Sequence, residues 1–217
     1  MTAAARYRFG AIRGQGEVGW SWDDIRLVVD DAFVPAPVHR EGRNEPFRFA
    51  ARVPTSVFDG ASHVLSLAIG GEPVTEHVAV TATELMADRF DSHLVVAGGL
   101  RFKGWIQDAS DPEGNVSLIA SLAGTEIGAF ETEEGRSAVH ERLGGNPNCG
   151  FTFEVPPHLV TVDEQELMIR TSCGQSLRGT PRSVNRRSAI AGSMLTIERA
   201  LERVRARCDL VERPTEL

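Results

Sequence analysis

The sequence predicts an all-β fold: two tandem antiparallel β-sandwich units followed by a C-terminal α-helix. Three observations carry this prediction. Strand-sized segments rich in β-branched and aromatic residues recur along the chain, with Gly, Pro, Asn and Asp clusters between them. Two phrases are repeated. Gly19-Trp20-Ser21-Trp22-Asp23 returns as Gly104-Trp105-Ile106-Gln107-Asp108, and residues 48–54 align without gaps on residues 150–156, at an offset of 102 that also sets Leu65 and Leu67 on Leu167 and Ile169. Only beyond Pro181 does the apolar period lengthen from that of a strand to that of a helix.

The first unit is expected over residues 1–83, with strands at 7–12, 25–29, 47–53, 63–69 and 77–81. The second is expected over 84–181, with strands at 93–96, 100–107, 116–122, 126–130, 150–155 and 166–171. Residues 84–92 read as a linker or a short helix. Turn signals separate the strands at Asp59-Gly60, Gly70-Gly71, Asp111-Pro112-Glu113-Gly114 and Gly144-Gly145-Asn146-Pro147. Alternation assigns the faces: Val116, Leu118 and Ala120 share one side and Ser117, Ile119 and Ser121 the other. Phe151, Phe153 and Val155 read as core, as do Phe49, Ala51 and Val53 in the first unit. Phe47 is the candidate to fill the space that Ala51 leaves.

Residues 182–217 form the predicted helix and tail. Ile190, Met194, Ile197, Leu201, Val204, Cys208 and Val211 follow alternating steps of four and three, a heptad seam. Ser188 is the candidate N-cap and Pro214 a stop, while Glu198, Arg199, Glu202, Arg203, Arg205 and Arg207 charge the other faces. A seam this narrow seeks a helical partner: it lies back on its own unit, pairs with a second copy, or docks on another protein.

The totals exclude several classes. At 217 residues, with 41% hydrophobic and 24% charged residues, the chain has the composition of a folded globular protein. A net charge of -7 argues against nucleic acid or anionic lipid as partner. No run is long and apolar enough for a membrane span and the N-terminus lacks a signal-peptide core, so the default location is cytoplasmic, with leaderless export or a place in a particle as alternatives. Cys149, Cys173 and Cys208 have no metal-ligand spacing, and their odd number favours reduced thiols over a Cys149–Cys173 bridge.

Candidate chemistry is sparse. Gly14-Gln15-Gly16-Glu17-Val18-Gly19 matches the dinucleotide fingerprint in letters, but a strand-like Trp20-Ser21-Trp22-Asp23 stands where a helix must open, so a hairpin turn accounts for the glycines. His39, His63, His77, His93, His140 and His158 are scattered, without metal spacing. No cofactor or metal is expected. Acidic pairs at Asp23-Asp24, Asp30-Asp31, Asp108 with Asp111, and Glu133-Glu134 leave a two-carboxylate glycoside hydrolase as the enzymatic alternative. Trp20, Trp22 and Trp105 are the recognition candidates, because an indole offers a flat apolar face to a sugar ring while Asp23 and Asp108 accept its hydroxyls. Trp20 and Trp105 share a repeat position and read first as core. Trp22 corresponds to Gln107, a poor core residue, which points to an exposed position and makes Trp22 the stronger candidate.

The second unit resembles a β-sandwich repeat of bacterial proteins in glycan and polysaccharide pathways, often found beside glycosyltransferase domains. The matching phrases are Gly104-Trp105-Ile106-Gln107-Asp108, Ile127-Gly128, Cys149-Gly150-Phe151-Thr152-Phe153-Glu154-Val155-Pro156, Leu167-Met168-Ile169-Arg170 and Leu177-Arg178-Gly179-Thr180-Pro181. The first unit keeps Gly19-Trp20, Asp23, residues 49–54 and Phe58-Asp59-Gly60, but lacks the Cys-Gly-Phe phrase. The resemblance implies a glycan or surface-assembly setting and brings no catalytic residues. The expectation is a non-enzymatic carbohydrate-binding or adaptor module with a glycan or polysaccharide partner. The alternative is a structural subunit of a surface or phage-like particle, a spike, fibre or decoration, that oligomerises through the helix.

Overall fold

The structure is a computed structural model that describes residues 4–15, 24–36, 38–41 and 48–211. It is mostly β, with several antiparallel sheets and a C-terminal helix. The chain forms two compact units, one of residues 1–92, 105–116 and 132–150, the other of 93–104, 117–131 and 151–217. Residues 105–116 and 132–150, which lie in the second repeat by sequence, thus belong to the first compact unit.

In the first unit, β1 (Ala5–Arg8) and β2 (Ala11–Gln15) form a hairpin, joined through Phe9 and Gly10 at φ 54° and 65°. The single strand expected over 7–12 is therefore two strands. Two successive positive φ angles make the kind of two-residue turn whose twist suits a hairpin, and a phenylalanine there gives no turn signal. β6 (Arg48–Arg52) and β5 (Val38–Glu41) extend the sheet in the order β1-β2-β6-β5. A second sheet contains β3 (Ile25–Val29), β4 (Ala32–Val34), β7 (His63–Ile69), β8 (Glu72–Pro73) and β9 (Val78–Val80), with β7 pairing β3, β8 and β9. α1 (Ala82–Ala87) follows, started by a reciprocal pair in which Thr81 Oγ1 accepts from Glu84 N while Glu84 Oε2 accepts from Thr81 N.

One apolar cluster draws on both sheets: Ile12, Phe49, Ala51 and Val53 from the first, Ile25, Leu27, Val29, Leu65, Leu67 and Val80 from the second, and Leu85 from α1. Each large side chain buried there contributes about 1.5–3 kcal/mol. Phe49 is fully buried over Gly14, where a Cβ would stand 2.5 Å from the Phe49 ring. Gly14 therefore sits inside a strand beneath an aromatic ring, and not in the hairpin turn expected for it. Phe47, the expected filler beside Ala51, lies outside the described residues.

The second unit takes residues from β10 (Phe90–Gly98), β11 (Arg101–Asp108) and β14 (Gly150–Glu154), which form one sheet. Its other sheet runs β13-β12-β15-β16, from β12 (Ser117–Leu122), β13 (Thr125–Glu131), β15 (Gln165–Thr171) and β16 (Arg182–Val184). The alternation holds: Leu118, Ala120 and Leu122 are buried while Ser117, Ile119 and Ser121 are half-buried. Phe151 is buried, and Phe153 is half-buried with its ring stacked on Phe130 at 5.0 Å.

α3 (Arg186–Val211) is the longest element. Its N-cap is Asn185, whose Oδ1 accepts from Ser188 N at 2.7 Å while Ser188 Oγ accepts from Asn185 N at 3.2 Å. Ser188, the expected cap, is instead the reciprocal partner three residues on. The first turns are anchored where Gly192 meets the backbone of Gly99: a Cβ on Gly192 would lie 2.6 Å from Gly99 N. Ala189 is buried beside this anchor.

Candidate functional site

Two places hold the described residues that the sequence nominates for function. The first surrounds Trp105, Gln107 and Asp108 at the end of β11, in the first unit. Trp105 is half-buried against Val139, Leu143 and Cys149, with the Arg142 guanidinium 5.7 Å from its ring centre. Val139 and Leu143 come from α2 (Ser137–Leu143). Asp108 pairs with Arg89 at 3.2 Å and accepts from Ser110 N and Oγ at 2.9 and 2.7 Å. Its carboxylate is thus occupied within the fold.

Gln107 is 2% exposed, which corrects the expectation of a solvent-facing position. It is buried because it is fully engaged: Oε1 accepts from Arg52 Nη1 at 2.7 Å, and Nε2 donates to Gly144 O at 2.8 Å. Arg52 Nη1 also donates to Leu143 O at 2.8 Å. Burial pulls the Arg52 guanidinium below its ordinary range, with Asp91 the strongest opposing influence. Arg13 and Asp91 form a further pair at 2.9 Å. Because Gln107 is buried, it gives no argument for an exposed position at Trp22. Trp20, Trp22 and Asp23 themselves lie outside the described residues.

Cys149 is buried, and that burial pushes its thiol up, away from nucleophilic thiolate, while Cys173 is an exposed free thiol. His63 bridges two carboxylates, Nδ1 to Asp30 at 2.7 Å and Nε2 to Asp59 at 3.0 Å. Among the described residues no group of three or more His, Cys, Asp or Glu side chains is arranged to hold a metal ion.

The second place is α3, in the second unit. Ile190, Met194, Ile197, Leu201 and Val204, five of the seven seam positions, are 57%, 58%, 60%, 52% and 58% exposed, while the side chains of Cys208 and Val211 lie outside the described set. The first three line an open groove of about 470 Å³, with Leu100, Glu154 and Pro157 on the opposite wall. The heptad spacing reveals the helix side of this groove. Its other wall is assembled from a turn and the end of β14, which no sequence period links to the helix.

No helix of the described residues is long and apolar enough to cross a membrane. The chain matches no protein-family model, and no curated protein matches it.

Proposed function

We propose that this protein is a non-enzymatic adaptor or structural subunit, two copies of one β-sandwich unit carrying a helix through which it associates. The exposed seam of α3 carries the reading. Five large apolar side chains in water along one stripe represent surface whose burial against a partner stabilises by about 25 cal/mol per Å².

The duplication is supported by strand register. Leu27 and Val29 face Leu67 and Leu65 in the first unit, as Ala120 and Leu122 face Ile169 and Leu167 in the second. Val53 N donates to Gly10 O as Val155 N donates to Leu100 O, and Val74 N to Leu67 O as Leu177 N to Ile169 O. The Thr81–Glu84 cap has its counterpart in Asn185–Ser188. Gly14 beneath Phe49 matches Gly104 beneath Phe151, each with a would-be Cβ 2.5 Å from the ring. This pairs Gly104 with Gly14 in place of Gly19.

The glycan or polysaccharide partner implied by the resemblance rests on Trp22 and Asp23, and loss of glycan retention in Trp22→Ala is its test. For the helix, the test is solution mass by light scattering for the full chain and for Ile197→Asp/Leu201→Asp. Association of the natural chain and a folded monomer for the variant are expected. A natural chain that stays monomeric overturns the reading.

A further inference from the structure

From Met194 onward every described side chain of α3 is exposed, on all sides of the helix. A helical stretch of that length without packing is marginal in water, because few hydrogen bonds offset the cost of starting it. Its apolar stripe therefore calls for a partner. Met194 and Ile197 line the groove, whereas Leu201 and Val204, farther along, are not part of its lining.

The charges that flank the stripe select the partner. In a heptad lettered a to g, Met194 and Leu201 stand at a, Ile190, Ile197 and Val204 at d, Glu198 and Arg205 at e, and Ser193 and Ala200 at g. Positions e and g border the apolar seam, so their charges decide which helices pair and in which direction. Glu198 and Arg205 are both exposed, and they differ in sign. In a parallel pair each g position faces the e position five residues on in the partner. Ser193 then faces Glu198 and Ala200 faces Arg205, so no opposite charges meet among the described side chains. In an antiparallel pair e faces e. With Leu201 opposite Ile197, Glu198 meets its own copy, and with Val204 opposite position 208, Arg205 does. Both of these registers set like charges together, which is unfavourable. With Leu201 opposite Val204, Glu198 meets Arg205, and two-fold symmetry forms that ion pair twice.

We propose that α3 pairs with α3 of a second copy of this chain, antiparallel, with Leu201 opposite the partner's Val204 and Glu198 opposite the partner's Arg205. This rests on the reading of α3 as an association helix and specifies both its partner and the direction of the pairing. The occupant follows from the charges: the stripe is complementary to itself, which a helix built for a different partner has no need to be. The two-fold axis crosses the helices between Leu201 and Val204, past the part of α3 that borders the groove. The layers beside the axis set Leu against Val, with both side chains more than half exposed before pairing. Such a contact matches one face to itself and closes at two copies.

Sedimentation of the full chain over a range of concentrations, at low ionic strength, is the test. It compares the natural chain with Glu198→Arg, with Arg205→Glu, and with an equal mixture of those two variants. Both substitutions are at exposed positions, and circular dichroism verifies the fold. The natural chain should reach a mass of two protomers. Each variant alone sets like charges opposite each other in both ion pairs and should raise the dimer dissociation constant about ten-fold. In the mixture opposite charges meet again at both places, so the two variants together should dimerise as tightly as the natural chain. A dimer that neither variant weakens, or that the mixture does not restore, overturns the antiparallel pairing and leaves the association reading standing, as does a mass beyond two protomers. A monomer at every concentration overturns both.

Discussion

Arg52 donates to Gln107 at 2.7 Å with both residues buried, although 55 positions separate them in the chain. A buried guanidinium left without its acceptor is costly, whereas an apolar pair of similar volume is often tolerated. Gln107→Leu alone should therefore destabilise by about 2–4 kcal/mol in urea unfolding. The double variant Arg52→Met/Gln107→Leu should lose clearly less than the sum of the single losses. Additive losses would show that the two side chains are not coupled.

His63 makes stability depend on pH in a definite direction. Its hydrogen bond to Asp30 is the largest influence and raises its pKa above the ordinary value; burial, the next, opposes this, and the hydrogen bond to Asp59 adds to the rise. A raised folded-state pKa gives stability that is fully present below the unfolded value of about 6.5 and is lost as pH rises through the folded value. Asp30 and Asp59 are lowered, chiefly by backbone N–H donors at Val64 and Ala61 and then by His63, so their contribution is lost in acid as pH falls through their folded values. The melting temperature of the natural chain, relative to His63→Gln, should fall as pH rises above about 6.5 and through the raised folded-state value. A constant difference across that window would refute the bridge.

Gly14 and Gly104 lie under Phe49 and Phe151, and backbone carbonyls of Ala4 and His93 stand 2.8 and 2.6 Å from the would-be Cβ atoms. Alanine at either site should cost about 2–3 kcal/mol through overpacking. Gly124 has φ 81° and open space around it, so Gly124→Ala should cost only about 1 kcal/mol from backbone strain. Denaturant midpoints for the three variants check the ordering.

Cys149 and Cys173 should separate under a thiol reagent. Exposed Cys173 should label rapidly in the native protein, while Cys149 should label at the rate of unfolding. Mass spectrometry after timed alkylation, followed by digestion to locate each label, reads both. Equal rates would contradict the burial of Cys149.

What the sequence disclosed follows from how far each interaction reaches along the chain. The strand at 63–69 was legible to the residue, because alternating side chains and the flanking glycines are local signals. The turn at Phe9-Gly10 was not, since only the sheet's twist makes Phe9 adopt a positive φ. α2 escaped notice because its start, at Arg136, has no side-chain cap. The helix seam was legible by its period, and the opposing wall of the groove was not, because Leu100 and Glu154 meet α3 only through the sheet. Gln107 was misread for the same reason: its burial depends on a partner in another strand.

α3 spans 26 residues, about 39 Å at the usual rise, yet Gly192 fixes it against Gly99 near its beginning. Its outer part behaves as a pointer whose pivot lies in the first turns, where Gly192 meets Gly99 and Arg186 donates to Thr161 O and Val160 O. One residue inserted just after Gly192 would swing every later seam position by about 100° while leaving the pivot intact. The angular register of any partner could therefore change through a single insertion, with neither β unit altered.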